Sequence, residues 1–507
     1  MHLHSLIKEL DSSITVNGPG DVEVLGVCED SRQVKPGDVF VARPGTRCDG
    51  ARFVGDAAAR GAVAVVSARP IADCPLPQVL VGDIAQAASR LAHILLGRPS
   101  QRLGLIGITG TNGKTTTAYL VRHILLRAGR RCGLISTVET DDGNTVRRSD
   151  MTTPPPVQTA KLLSDMCANG CQWCVMEVSS HALDQGRVAG AHFAAAAFTN
   201  LTRDHLDYHV SMRAYASAKA KLFEGLDESD VAVVNAQDRW SRRMVRSCRA
   251  RVVRFGLGRA GEYRAARVEA SAAGTRFVLI GPDGQAPVQM PLIGRHNVAN
   301  ALAAAAITGR VCGLSVAQIA VSLVDAGGAP GRLQPVNAGQ PFAVFVDYAH
   351  TDDGIRNVLN ALRPLTAGRL RIVFGCGGDR DRGKRPRMAR AAEELADVVY
   401  LTSDNPRSED PMDIIREVVA GFSADAQITG FSRSANAAWR LPGGISKPVI
   451  VEPDRRLAIH RALTDAAAGD VVVIAGKGHE DYQIVGSVRH HFDDYEEALA
   501  FLRSRAA

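Results

Sequence analysis

The sequence predicts an α/β protein of three domains, two of them organised on parallel sheets wrapped by helices. Three observations carry this. Short apolar runs alternate with amphipathic helical stretches. A Gly/Thr-rich loop sits between one such strand and one such helix. The chain has 507 residues, too many for one ordinary core.

The first region, residues 1–100, holds the runs 38–42 and 62–66, each bounded by Gly or Pro and read as strands. A helical pattern over 85–96 follows, then the break Gly97-Arg98-Pro99. The second region, 101–330, opens with a buried strand over 103–108, the loop, and a helix to Gly129. In that helix Leu120, Val121, Ile124 and Leu125 share one face, and Gly129 suits its C-terminal end. Further strands are expected at 174–178, 194–199 and 231–234. Residues 254–290 read as an antiparallel excursion with a turn at Gly281-Pro282-Asp283-Gly284. The third region, 331–507, carries strands at 343–346, 370–374, 398–401, 448–451 and 471–475 with helices between them, a second α/β unit. There is no internal repeat.

Bulk composition narrows the function classes. Hydrophobic residues make up 46% and charged residues 22%, as in ordinary globular proteins. The net charge of +7 suits anionic substrates, and no basic block of the kind that binds nucleic acid is present. No run of eighteen apolar residues occurs, so no membrane span is expected. Lys8 and Glu9 fall where a signal peptide needs an apolar core. Ten scattered cysteines fit a reducing compartment, and the cytoplasm is the expected location. Cys167, Cys171 and Cys174 lack a fourth ligand at zinc-site spacing, which favours small buried side chains over a metal site.

Backbone N–H groups of a Gly-rich turn that opens into a helix N-terminus cradle phosphates. Gly110-Thr111-Asn112-Gly113-Lys114-Thr115-Thr116 has that form. Lys114 is expected to reach the terminal phosphates of ATP and the Thr115 hydroxyl to ligate magnesium. Ile108 stands where the standard pattern has a glycine, so the loop is a variant. ATP chemistry also needs ligands for magnesium. Glu177 ends one apolar strand, and the polar segment 200–207, with His205, follows another. After successive strands of one sheet these would converge at one edge. Tyr215, Lys219 and Phe223 share a helix face, and by spacing alone Lys219 reads as a surface lysine.

Taken together, the motifs resemble those of the Mur ligases, the ATP-dependent amide-forming family that builds peptidoglycan precursors. The segments are Thr109 to Thr116, Glu177-Val178-Ser179-Ser180-His181, Thr199 to Asp207, His296-Asn297-Val298-Ala299-Asn300, Gly331-Arg332 and Asp347-Tyr348-Ala349-His350, in the family's order. The resemblance runs from Asp30-Ser31-Arg32 to Gly476-Lys477-Gly478-His479-Glu480, and the phosphate loop without Gly at 108 is the form the family uses. It implies a small N-terminal UDP-binding domain, a central ATPase and a C-terminal Rossmann-like domain. It also implies that Lys219 is carbamylated with CO2 and joins Thr115, Glu177 and His205 at magnesium, which reverses the reading from spacing. Lys114, Glu177, His205 and Lys219 are the implied catalytic set. Asn297 and Asn300 are implied on the adenine side, Arg332 and Asp347 as nucleotide contacts from the third domain.

Ser403-Asp404-Asn405-Pro406-Arg407 resembles the motif of family members that add meso-diaminopimelate. That amino acid has a second head with both ammonium and carboxylate. Arg407 offers a planar fork to the carboxylate, and Asp404 could hold the ammonium. Arg380, Gly476 and Glu480 are implied as further contacts. The other substrate would be UDP-N-acetylmuramoyl-L-alanyl-D-glutamate, with Ser31, Thr152, Thr153, Ser179, Gln185 and Arg187 as implied contacts. Met151 stands where Asn is common, Thr46-Arg47-Cys48 replaces a His-Gln-Ala type triplet, Asp352 stands where Pro is common, and Gln334 where Glu is common. The expected reaction is phosphorylation of the D-glutamate side-chain carboxylate, then attack by the amine. A monomer is expected. The alternatives are a lysine-adding ligase, against which Arg407 argues, a folylpolyglutamate synthetase, against which the N-terminal region argues, and a non-catalytic nucleotide-binding regulator.

Overall fold

A computed structural model describes residues 1–506 apart from 12, 13, 15, 19, 20, 45–47, 259, 272, 273 and 431–446. Thr46 and Arg47, singled out above, lie outside the described residues.

Three sheets follow one another along the chain. The N-terminal sheet has five strands, Gly26–Cys28, Asp38–Val41, Ala64–Ser67 and Gln78–Leu80 running parallel, with Val16–Asn17 antiparallel at one edge. Helices Leu3–Leu10 and Ile84–Leu95 cover one face, burying Leu3, Leu6, Leu91 and Ile94 with Val39, Val41 and Val66.

The central sheet is mixed. Its parallel middle runs Arg251–Gly256, Val231–Asn235, Ala195–Phe198, Gly104–Thr109, Trp173–Glu177, Cys132–Ile135. These strands read as unbroken apolar runs because both faces are covered, by Lys114–Arg127 and Arg295–Val311 on one side and Pro156–Ala168 and Met212–Glu224 on the other. The antiparallel excursion is present as Tyr263–Ser271, Gly274–Gly281 and Gly284–Met290. A second one, Glu139–Asp141 and Val146–Arg148 beyond Cys132–Ile135, was not expected. Its outer strand, Val-Arg-Arg, is exposed throughout and so lacks the apolar pattern that marks a strand.

The third sheet has the order Gln334–Pro335, Ala343–Asp347, Val471–Ala475, Leu370–Phe374, Val398–Leu401, Pro448–Val451, Gln427–Thr429, all parallel except the first. A separate hairpin, Tyr482–Val485 with Val488–His491, extends from it. Cys171 and Cys174 are buried with Met166 and Met176, the small-hydrophobe reading of that cysteine cluster. Among the described residues no helix is long and apolar enough to cross a membrane.

Candidate active site

The ends of the central strands and of the third sheet face each other across a cleft with two cavities. One, of about 280 Å³, is lined by Asn112, Gly113 and Thr116 of the loop, by Asn297 and Asn300, and by Arg332, Asp347 and Asp353 from the third region. The other, of about 440 Å³, is lined on the central side by Thr152, Thr153, Ser179, Arg187 and His205. From the third region Arg380, Asp404, Asn405, Arg407, Gly476 and Glu480 join it.

The phosphate loop is pinned from a neighbouring strand. Thr111 N–H donates to Asn200 O and Asn112 N–H to Asn200 Oδ1, both at 2.9 Å. Gly113 has φ +84°, and a Cβ there would come within 2.4 Å of Asn300 Oδ1, so only glycine fits. Lys114 Nζ turns back on the loop, donating to Gly110 O at 3.0 Å and Thr111 O at 2.9 Å. Burial lowers its pKa, with the Glu177 charge opposing. The Thr115 hydroxyl donates to Glu177 Oε2 at 3.1 Å and accepts from Arg332 Nη2 at 3.1 Å, so the third sheet reaches the loop directly. Glu177 is fully buried, and Thr137 N–H also donates to it at 2.8 Å.

Lys219 is 1% exposed, so the surface reading from spacing is wrong. Its helix packs that face against the sheet, beside Tyr215 and Phe223. Nζ donates to Gly110 O at 2.9 Å and lies 3.4 Å from Thr109 Oγ1, both neutral partners. Burial and the Lys114 charge hold its amine well below the ordinary lysine range. His205 sits at φ +54°, a left-handed conformation that costs an ordinary residue about 1–2 kcal/mol. Burial pushes its pKa down to about 3, leaving a neutral imidazole with a free lone pair.

On the wall nearest the N-terminal sheet, Thr153 Oγ1 donates to Glu177 O at 2.8 Å and accepts from Ser179 N–H at 3.0 Å. Arg187 donates to Thr153 O at 3.0 Å, and Gln185 Oε1 accepts from Arg187 Nη2 at 2.6 Å, so Gln185 orients Arg187 and is not itself a lining residue. Ser31 begins a short helical turn of the N-terminal sheet and lines neither cavity. Opposite, the loop after Leu370–Phe374 comes so close to the Asp404–Arg407 segment that a Cβ on Gly378 would lie 1.9 Å from Pro406 O. Asp404 is buried and faces Lys477 Nζ at 3.5 Å. Asn405 Nδ2 donates to Glu480 Oε2 at 2.8 Å, and Pro406 is buried. Arg407 has φ +52° and donates to Gly378 O at 2.7 Å, while exposed Arg380 donates to Asp379 O at 3.0 Å.

Known protein families match most of the chain. The Mur ligase middle domain matches residues 108–308, the Mur ligase glutamate ligase domain 331–478, and the Mur ligase family catalytic domain 23–93. A UDP-N-acetylmuramoyl-L-alanyl-D-glutamate–2,6-diaminopimelate ligase from Gloeobacter violaceus is 43% identical over 100% of this chain and 99% of its own. The chain belongs to the Mur ligase family. A ligase of the same name from Geobacter sulfurreducens is 42% identical over 99% of both chains. A solved structure of such a diaminopimelate ligase superposes with a TM-score of 0.68 at 33% identity, covering 100% of both chains. A MurF ligase from Thermotoga maritima in complex with ADP shares the fold, with a TM-score of 0.64 at 19% identity over 94% and 97% of the two chains.

Several residues of this Mur ligase cleft were given no site role from the sequence. Asp204, Lys384, Tyr348, His479, His181 and Arg148 all line the larger cavity. Arg148 Nη2 donates to His479 O at 2.6 Å and its other nitrogen pairs with Asp481, joining the unexpected edge strand to the third region. Four of these, His181, Asp204, Tyr348 and His479, stand within the quoted motifs themselves, which was the available signal. Several partners are 130 or more positions away, as for Arg148 with His479, Asp204 with His350 and Tyr348 with Glu480, while His181 packs on nearby His205.

Proposed function

We propose that the chain joins meso-diaminopimelate to the D-glutamate side-chain carboxylate of UDP-N-acetylmuramoyl-L-alanyl-D-glutamate, converting ATP to ADP and phosphate. One observation carries this: Thr152, Thr153, Ser179 and Arg187 face Asp404, Asn405, Arg407 and Glu480 across one cavity, beside a phosphate loop. The full-length likeness to ligases that bear this name supports the same substrates.

A carboxylate oxygen of D-glutamate attacks the γ-phosphorus and ADP leaves, giving an acyl phosphate. The amine then attacks the acyl carbon, phosphate leaves, and the amine proton goes to solvent. The protein contributes position and charge. Lys114 lies where it can swing from the loop carbonyls to the phosphates. Asn297 and Asn300 stand ready for the base, Arg332 and Asp347 for the rest of the nucleotide.

Thr115, Glu177 and His205 fit magnesium, since hydroxyl, buried carboxylate and neutral imidazole are all oxygen or nitrogen donors that need no proton removed. Magnesium would neutralise charge on the phosphates. Lys219 fits a carbamate: a buried neutral amine forms an N–C bond to CO2 and releases a proton, which turns a cation into an anionic oxygen ligand. Domain limits near residues 100 and 330 are proposed to separate the UDP-binding, ATP-binding and amino-acid-binding units. A monomer is proposed. The cysteines of the structure are all free, which supports the cytoplasm.

Release of ADP should be followed with the dipeptide substrate and a panel of amino acids. meso-Diaminopimelate should be preferred. If lysine outperforms it, the specificity fails; if nothing releases ADP, the ligase reading fails.

A further inference from the structure

We infer that Asp204 is a positioning residue that holds His205 in place only when the amino-acid-binding side has closed onto the central sheet. The inference rests on the ligase reading above.

Asp204 is a carboxylate on a loop, yet it is only 5% exposed. Groups from both sides of the cleft surround it. His205 Nε2 lies 3.4 Å from Oδ2, and His205 N–H donates to Oδ1 at 2.9 Å. Across the cleft, His350 Nε2 lies 3.6 Å from Oδ2 and buried Lys384 Nζ 3.9 Å from Oδ1. His350 is itself fixed, because Nδ1 lies 2.9 Å from Tyr348 O and donates to it. The preceding residue, Arg203, reaches the same segment of the third region, its Nε 3.4 Å from Asp381.

Each of these side-chain nitrogens stands beyond normal hydrogen-bond length, so no single partner compensates the buried charge. Opening the cleft would withdraw His350 and Lys384 and leave Asp204 only the groups of the central side, His205 with Lys114 and Lys219. The carboxylate then loses its reason to stay buried, and the backbone bond that supports His205 at φ +54° loses its anchor. Closure and His205 geometry are therefore linked through one atom group, and each favours the other.

Asp204→Asn keeps the shape and removes the charge. We expect kcat to fall roughly 100-fold, the scale of a small misplacement of catalytic groups, with KM for ATP moving less than about threefold. Lys384→Met should give a comparable fall. The double variant should be no worse than about threefold below the weaker single, since both break one link. Small-angle scattering should show the wild type compacting with a non-hydrolysable ATP analogue and the dipeptide, and Asp204→Asn failing to compact. Losses that multiply in the double variant, or normal compaction of Asp204→Asn, would overturn the inference. If Asp204→Asn does not fold, as judged by circular dichroism, His350→Gln with Lys384→Met gives the same cycle. A wild type without turnover would count against the ligase reading; an active wild type beside an unaffected Asp204→Asn would count against this one.

Discussion

Lys219 and Lys477 are equally buried, at 1% and 0% exposure, but their surroundings are opposite. Lys477, under the amino-acid pocket, faces the Asp404 carboxylate at 3.5 Å and donates to Asn405 Oδ1 at 3.1 Å and Tyr482 O at 2.7 Å. Lys219, under the phosphate loop, has a backbone carbonyl, a hydroxyl and the Tyr215 ring at 4.7 Å. Burying a charge without a counter-ion is expensive, so the native state favours the neutral amine at Lys219. The paired lysine is a structural element; the unpaired one is reserved for chemistry. The same contrast covers Lys114, whose Nζ is parked on two loop carbonyls until an anion arrives.

The largest test of that contrast removes Lys114. Lys114→Ala should lower kcat for phosphate release about 10³-fold, near 4 kcal/mol of transition-state stabilisation, with little change in melting temperature. A loss below tenfold would break the division into reserved and structural cations.

Lys477→Met makes the opposite prediction. Removing one member of a buried pair leaves Asp404 only its weaker partners Arg455 and Arg407, and stability should drop by about 3 kcal/mol in urea unfolding. If Lys477→Met is as stable as the wild type, the pair is not structural and the comparison loses one side.

Lys219→Ala should sit between them, with kcat down roughly 100-fold and stability unchanged or higher, because an unpaired buried amine is gone. The carbamate has its own signature. Wild-type protein in ¹³C-bicarbonate should show a carbamate carbon resonance that Lys219→Ala lacks, and a variant as active as the wild type would refute the role.

These contrasts mark what the sequence could and could not reveal. The parallel strands were legible because burial on both faces makes them Val-, Ile- and Ala-rich runs with sharp ends, as at Leu370–Phe374 and Val471–Ala475. The phosphate loop was legible because its geometry is local: strand, glycines and helix start are contiguous. Lys219 was misread by spacing: Tyr215 and Phe223 on its face pointed to burial, but a lysine is the residue type that is rarely buried without a partner. The resemblance of the motifs reversed that reading. The amino-acid pocket was legible as motifs but not as contacts. Its walls come from residues 375–380, 404–407, 476–482 and the hairpin after them. The pairing of Asp404 with Lys477 links positions 73 apart, and no local pattern encodes it. The left-handed backbones of His205 and Arg407 were equally invisible, because neither residue type announces positive φ.

Arg407 gives the smallest and finest test, since it carries the reserved-cation idea into the amino-acid half. It is only partly buried, its guanidinium lines the cavity, and Nη1 is anchored on Gly378 O at 2.7 Å. That anchor uses one N–H of a planar fork and leaves others to meet a carboxylate in fixed orientation. Lysine keeps the charge but has neither the fork nor a second donor held in plane. Arg407→Lys should therefore raise KM for meso-diaminopimelate roughly 30-fold, about 2 kcal/mol, while KM for ATP and stability stay put. Activity with lysine as substrate, which lacks the distal carboxylate, should change far less. Equal losses for both amino acids would mean that Arg407 only braces the Gly378 loop, as Lys477 braces Asp404, and the reserved cations would then be confined to the phosphate side.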